Sequence, residues 1–357
     1  MFIIWANLDC EARWGNQTLP QHVLRRISSA AVLLAAFAPE GEPVEIWTPA
    51  EVDPSKVHLP NVTMRVGVPA MQHLVWAQPD AKAANDRRLN LALHERLGTL
   101  LPGQRVVTSL DDLATATGPW VCKAPWTAAG RDRAHGNGAP TGELAVYVGR
   151  MLERFGALLY EPWCDRILDV GVCARVDDTG TVTPHAPHTL LSDPRGGFVG
   201  IDLSPPPLTD DERAQLDGVV REAGHVLHEV EYAGPFSVDA FVHRRYDVMG
   251  EDTYETKLGD GYHPFVAASF VEGSAATAFI AAHPAKQDST MLPIVYTLSE
   301  QRALHAPCEI NARYTFGHVA HALAQRFGAR RLGFGPPPDG ARVVVDDAKA
   351  PAWIATT

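Results

Sequence analysis

Short apolar runs bounded by glycine, proline or charge alternate along the chain with longer stretches whose apolar positions recur every three or four residues. Phe2 to Ala6 reads as a buried strand, Leu19 to Phe37 as a helix opening near Pro20, and Val44 to Trp47 as a second strand. Strand, helix, strand predicts a parallel sheet, and ligands of such sheets sit beyond the carboxyl ends of the strands. That edge would carry Asn7, Asp9, Glu11 and Arg13, although a plain solvated loop accounts for these four equally well. Ala81 to Leu97 continues as a helical pattern that includes Arg87 and Arg88, and Pro102-Gly103 ends it. Adjacent arginines diverge on a helix, so only one of them can turn inward.

From Trp120 the texture changes. Val121 to Pro125 is an apolar strand carrying one lysine, Lys123, followed by a loop, Ala128 to Gly138, rich in glycine and arginine. Burying a lysine is costly unless an anion meets it, and such a loop can wrap the same anion with backbone N–H groups and guanidinium forks. Taken singly, Lys123 could snorkel from an edge and the loop could be an ordinary turn. Ala157 to Trp163 and Ile167 to Val176 read as strands, the second turning at Asp177 to Gly180 into Thr181-Val182-Thr183, giving three antiparallel strands. Pro184 to His188 and Asp193 to Gly197 read as surface connections. His185 and His188 lack the helical spacing of a metal pair and read as structural. An amphipathic helix, Thr209 to Val230, precedes a strand, Phe236 to Val242, whose Asp239 faces away from its apolar neighbours.

The strand Cys308 to Gly317 carries the most chemistry. Alternation puts Glu309, Asn311 and Arg313 on one face while Ile310 and Ala312 point to the core. Carboxylate and amide oxygens suit Mg²⁺ and the guanidinium suits a phosphate, whereas the bland reading is a solvated face with a local ion pair.

Composition narrows the partners. A chain of 357 residues exceeds one core, so two or three subdomains are expected. A net charge of -11 without a basic run argues against nucleic acid or an anionic membrane surface and favours small-molecule substrates. The start lacks the pattern of a signal peptide, and the apolar run Ala30 to Ala38 is too short to span a bilayer. Five widely spaced cysteines read as buried free thiols, and the expectation is a soluble protein of a reducing cytoplasm.

A strand lysine, a Gly-rich loop, a strand ending in an acidic hinge, a strand with Asp and a strand reading Glu-x-Asn-x-Arg occur in this order over about Asn85 to Phe327. The ordered set resembles the ATP-grasp superfamily of carboxylate-amine ligases. The resemblance implies an α/β architecture of the α+β ATP-grasp kind. A parallel pre-ATP-grasp domain (1–115) would precede an ATP-grasp domain (116–335) whose two α+β subdomains enclose the nucleotide, and 336–357 would be a C-terminal tail. It further implies ATP and Mg²⁺ as cofactors, with Lys123 on the α- and β-phosphates and Arg131 and Arg133 in a loop closing over the transferred phosphate. Glu161-Pro162-Trp163 would be the adenine hinge, Asp169 the ribose contact, and Asp239, Glu309 and Asn311 the metal ligands. Arg313 would stabilise charge on the γ-phosphate or acyl phosphate. Arg88, or its neighbour Arg87, would supply the basic residue that the family often places ahead of the first phosphate contact.

Two departures stand out. Alanines and arginines replace the serines that relatives use in the loop, and Asp239 and Glu309 lie 70 positions apart where the family usually has a hairpin. An insertion at about 247–300 would fold as a cap or meet a second subunit in a homodimer, and if it displaced Asp239 the metal would fall to another acid such as Glu309. The implied reaction is ATP-dependent ligation of a carboxylate, an amino acid or peptide, to an amine. The other classes are a small-molecule kinase, which would use the same clamp on a hydroxyl, and a non-catalytic nucleotide-binding module.

Overall fold

A computed structural model describes residues 1–126, 132–193, 197–253, 294–347 and 351–356, of which 246–253 and 294–300 are described as backbone. The first sheet is parallel, as the strand–helix–strand pattern predicts, in the order β3 (Val62–Val66), β2 (Val44–Thr48), β1 (Phe2–Trp5), β4 (Leu74–Val75). The predicted helix Leu19 to Phe37 divides into α2 (Gln21–Ala30) and a 3-10 turn, Ala31–Phe37; α1 (Cys10–Trp14) follows β1. Apolar residues encircle the 3-10 stretch, and Ala31 to Ala36 are all buried between this sheet and the C-terminal elements.

The second sheet has the order β5 (Arg105–Val107), β8 (Leu158–Pro162), β6 (Pro119–Lys123), β7 (Arg133–Asn137), covered by α4 (Gly142–Phe155). Trp120 fills its core because Gly136 opposite has no side chain; a Cβ there would stand 2.1 Å from the indole. The third and largest sheet runs β14 (Ile294–Asn311), β13 (Gly234–Thr253), β9 (Arg166–Val176), β11 (His188–Ser192), β12 (Phe198–Asp202), β15 (Arg331–Phe334), β17 (Ala352–Ala355), β16 (Arg342–Val345), with β10 (Val182–Pro184) paired to β9. Strands read together from sequence therefore part company: β8 belongs to the second sheet, β9 and β10 to the third, and the chain crosses between them at 163–165. The stretch read as a tail supplies β16 and β17 to the third sheet.

Helix α5 (Asp210–Glu229) covers β9, β13 and β14, opened by a capping box in which Thr209 and Glu212 satisfy each other's backbone N–H. Helix α6 (Phe316–Phe327) bridges the first and third sheets. Asp239 keeps its place in the ladder across from Glu309. Strands β13 and β14 pair antiparallel from Ser237↔Asn311 out to Thr253↔Ile294, with Asp239 opposite Glu309; residues 254–293 lie outside the description.

The edge of β14 explains the break in the predicted helix Ala81 to Leu97. Asn85 donates to the Ala312 carbonyl at 3.2 Å and accepts from its N–H at 2.9 Å. Asn90 accepts from Ile310 N–H and donates toward the Cys308 carbonyl. Two asparagine side chains thus occupy backbone groups that an edge strand would leave open. To reach them the chain leaves its 3-10 turn, Ala83–Asn85, in extended geometry at Asp86 before α3 (Arg88–Leu97) begins. Arg87 falls between the two asparagines and directly over β14.

Candidate functional site

The second and third sheets and the carboxyl edge of the first open onto a cleft of about 2580 Å³. Lys123, Arg133, Pro162, Trp163, Asp169, Asp239, Glu309, Asn311 and Arg313 all line it, as the ordered motifs predict. Arg131 lies outside the described residues, together with most of the loop that precedes β7.

On the second-sheet wall, Lys123 ends β6 opposite Arg133 of β7. Its ammonium donates to Glu161 Oε2 at 2.6 Å, and Glu161 is almost fully buried beneath it. Glu161 is therefore the counter-ion of the lysine. Burial works against the charge on Lys123, but Cys308 and Glu161 outweigh it and hold the ammonium above the ordinary lysine range. Trp163, nearly half exposed, stands at the rim with its indole in edge contact with His135.

On the opposing wall, register places Asp239 across from Glu309, and Ser237 across from Asn311. Asn311 donates to Asp239 Oδ2 at 3.3 Å. Burial first, and then the Glu309 carboxylate, push Asp239 up to about 7. The two facing carboxyl groups present oxygens that a divalent cation fits, because a cation relieves the repulsion that raises Asp239; the Asn311 amide joins them only by releasing its oxygen from Arg313.

Two arginines flank this row, Arg87 and Arg313. Arg87 donates to the Ala124 carbonyl, next to Lys123, and to Glu309 Oε1, each at 2.7 Å, so one guanidinium ties the two walls together. The expectation for Arg88 is overturned: it pairs with Asp86, is half exposed and does not line the cleft, while Arg87 does. Arg88 is the first residue of α3 and half exposed, whereas Arg87 caps the helix just after the extended Asp86 and is buried.

Arg313 is held by Glu11, with Nε to Oε1 at 2.9 Å and a second, shorter contact from Nη2, and its Nη2 also meets Asn311 Oδ1 at 2.9 Å. Glu11 comes from α1, just past β1, so the predicted ligand edge of the first sheet does reach the cleft. Asn7 does not: its amide is buried and bonded to Ala77.

Sequence reasoning missed Arg166. It pairs with Asp169 at 3.3 Å, lies 3.9 Å from the centre of the Phe241 ring, and approaches Cys308 Sγ at 3.6 Å. Its only signal was a charge beside the hinge at the start of an apolar strand. The cysteines also differ from expectation: Cys10, Cys122 and Cys173 are buried free thiols, but Cys164 and Cys308 are half-buried and line the cleft.

No family model matches the chain, and no curated protein matches it. Among solved structures it is similar to N5-carboxyaminoimidazole ribonucleotide synthetase from Thermus thermophilus, at 14% identity and a TM-score of 0.48, covering 100% of this chain and 94% of that one. It is also similar to N5-carboxyaminoimidazole synthetase from Staphylococcus aureus complexed with ADP, at 11% and 0.39, covering 68% and 66%. A third is an L-amino acid ligase from Bacillus licheniformis, at 14% and 0.39, covering 67% and 62%. The match spans just under two thirds of the Staphylococcus and Bacillus chains. Among the described residues no helix is long and apolar enough to cross a membrane. The cleft residues follow one another along the chain in the order on which the sequence resemblance to the ATP-grasp superfamily rests.

Proposed function

We propose that this protein is an ATP-dependent ligase that activates a carboxylate, of the amino acid or peptide class, as an acyl phosphate and joins it to an amine. The observation that carries the reading is the cross-strand placement of Asp239 opposite Glu309, with Asn311 beside them, across one cleft from the Lys123–Arg133 pair. Mg²⁺ held by Asp239, Glu309 and Asn311 would offset phosphate charge. Lys123 and Arg133 bind the phosphate chain from the second-sheet wall, and Trp163 offers its exposed indole face to adenine. Glu161 keeps the lysine charged and fixed in the absence of nucleotide.

Arg313, preset by Glu11 and Asn311, meets the charge that builds on the γ-phosphoryl group as it passes to a carboxylate oxygen of the substrate. ADP leaves, and the mixed anhydride stays in the cleft. The amine then attacks its carbonyl carbon, the bond from that carbon to the phosphate oxygen breaks, and inorganic phosphate departs as the amine sheds a proton. Arg87 keeps the two walls in register during transfer, because it bridges Ala124 and Glu309.

A product assay over a panel of carboxylates and amines tests the reading. ADP, free phosphate and a new amide are expected. ADP with a phosphorylated hydroxyl compound would make the protein a kinase, and no nucleotide turnover with any acceptor would leave a binding module. Lys123→Ala should weaken binding of a non-hydrolysable ATP analogue, whereas Glu309→Gln should lower turnover more than binding. Equal calorimetric affinity for the analogue with and without Mg²⁺ would remove the metal row from the reading.

A further inference from the structure

At the end of the cleft, beyond Asn311, lies a cluster that the nucleotide reading leaves unused: Cys173, His185, His188, Thr315, His318 and His321. Three elements build it. Cys173 lies in β9, His188 in β11 opposite Gly171 of β9, and His318 and His321 sit one turn apart in α6. Two glycines make the room. A Cβ on Gly171 would stand 2.6 Å from His188 Nε2, and one on Gly317 would stand 2.5 Å from Cys173 Sγ and 2.8 Å from His188 Cε1. Backbone without side chains thus brings a thiol and an imidazole into one small space.

The ring nitrogens sort the histidines. His318 is spent: its Nδ1 accepts from Thr315 N–H at 3.1 Å in the helix cap, and its Nε2 faces the Ala174 carbonyl at 3.3 Å. His185 is exposed and stacks on His321 with centroids 4.7 Å apart. His188 is 2% exposed and its Nδ1 is buried with no hydrogen-bond partner; His321 Nε2 is likewise buried and unpartnered. Buried polar atoms are nearly always satisfied, so the two orphaned imidazole nitrogens of this cluster call for an occupant.

We propose that Cys173, His188 and His321 form a binding site for a zinc-class divalent transition cation, distinct from the hard-oxygen row of Asp239, Glu309 and Asn311. One donor atom from each of the three lies within 4.8 Å of the other two. Donors around a tetrahedral zinc stand roughly 3.4–3.6 Å apart for bonds of about 2.0–2.3 Å, so closing the site takes about an ångström of side-chain movement. Thiolate and imidazole select such a cation over Mg²⁺, which prefers carboxylate and water oxygen. The rings of His188 and His321 meet at 76°, with centroids 5.6 Å apart.

Burial holds His188 at about 3 and His321 at about 4, which keeps both imidazoles neutral and able to coordinate at neutral pH. The same burial raises the Cys173 thiol, so the cation must displace its proton to solvent and binds more tightly as pH rises. Three protein ligands leave a fourth position. His188 and Gly317 line the cleft, so that position is open to water or to a donor atom of a molecule in the cleft.

Cobalt titration of the full chain, reduced and freed of metal by chelation, tests the site without nucleotide or Mg²⁺. One equivalent of Co²⁺ should produce a near-ultraviolet thiolate-to-cobalt band with tetrahedral visible bands, and one equivalent of Zn²⁺ should abolish both. Cys173→Ser should remove the thiolate band, and His321→Gln, at a half-buried position, should weaken Co²⁺ at least tenfold while circular dichroism is unchanged. Cys164→Ser, outside the cluster, should leave the spectrum as it is. A band that survives Cys173→Ser, no band at all, or unchanged affinity in His321→Gln would each overturn the proposal. Should Cys173→Ser fail to fold, the His321→Gln affinity decides alone.

Discussion

Replacing Glu161 by Gln tests the most consequential contact in the cleft wall. The substitution keeps size and one acceptor oxygen but removes the charge that meets Lys123 at 2.6 Å. The side chains of Lys123 and Glu161 are only 16% and 4% exposed, so the ammonium would remain largely desolvated with Arg133 as its cross-strand neighbour and Arg166 close by. Breaking a buried pair by removing one partner costs about 3–5 kcal/mol, and the opening of Lys123 onto the cleft puts this case at the low end, about 3 kcal/mol. Neutralising both partners should recover much of that, because the uncompensated charge is gone. Urea unfolding followed by the fluorescence of Trp120, buried in the same small sheet, is the assay, run on the wild type, Glu161→Gln, Lys123→Met and the double variant. A coupling of about 2 kcal/mol or more is expected from the cycle. Pyrophosphate should stabilise Glu161→Gln more than it stabilises the wild type, since an anion then supplies the missing counter-charge. A single variant within about 0.5 kcal/mol of wild type, the ordinary range for a surface substitution, would refute the counter-ion assignment.

Trp163→Ala removes an exposed rim side chain, so folding should survive while nucleotide affinity falls roughly ten- to a hundredfold, for a stacking contact of about 1–3 kcal/mol; calorimetry with an ATP analogue checks it. Gly136→Ala drives a Cβ to 2.1 Å from the buried Trp120 ring and should cost about 1–3 kcal/mol or more by urea unfolding, with the second sheet melting first. The buried imidazoles make the fold acid-sensitive. Burial lowers His94, holds His305 at about 2 and His318 at about 3, so each is neutral when folded and protonated near 6.5 when unfolded. Their stabilising contribution is complete above pH 6.5 and is lost as pH falls toward their folded values. His305 stacks on His94 with its Nε2 unpartnered, so His305→Phe should reduce the loss of stability between pH 6 and 4 by about 1.4 kcal/mol per pH unit, one proton's worth; an unchanged slope would count against a neutral His305.

Much of the site was legible because strand alternation is a local rule. Glu309, Asn311 and Arg313 share a face, Lys123 ends its strand, and the edge beyond β1 delivers Glu11, each for reasons visible within a few residues. What the sequence left open was pairing over distance. Nothing near Asp239 announces that Glu309 lies directly across from it, because that depends on β13 and β14 staying in register through bulges over many residues. Equally, the exchange of Arg88 for Arg87 is a consequence of Asn85 and Asn90 bonding to the edge of β14, contacts that span more than two hundred positions. A helical pattern read from Ala81 to Leu97 gives no reason to break at Asp86 until that edge strand is in place.

The charges of the cleft divide by whether they already have partners. Glu161 meets Lys123, Glu309 meets Arg87, and Glu11 meets Arg313, so each of these three cations is met by an acid from a separate element. Asp239 is different: its contact is an amide, and with Glu309 across the ladder its proton is held up to about 7. The floor of the cleft is thus the place where added positive charge lowers the energy most, while Lys123, Arg87 and Arg313 on the walls are each already met by a carboxylate. Exchanging such a carboxylate for a phosphate strips water from the phosphate and leaves the displaced carboxylate in need of a new positive partner, which a cation at the floor supplies. Binding a polyanion and a dication together satisfies wall and floor at once, and either alone leaves one of them in conflict. Strong mutual dependence of nucleotide and Mg²⁺ binding is therefore expected from the charge arrangement, and independent binding, seen as affinities that do not change when the other is added, would contradict it.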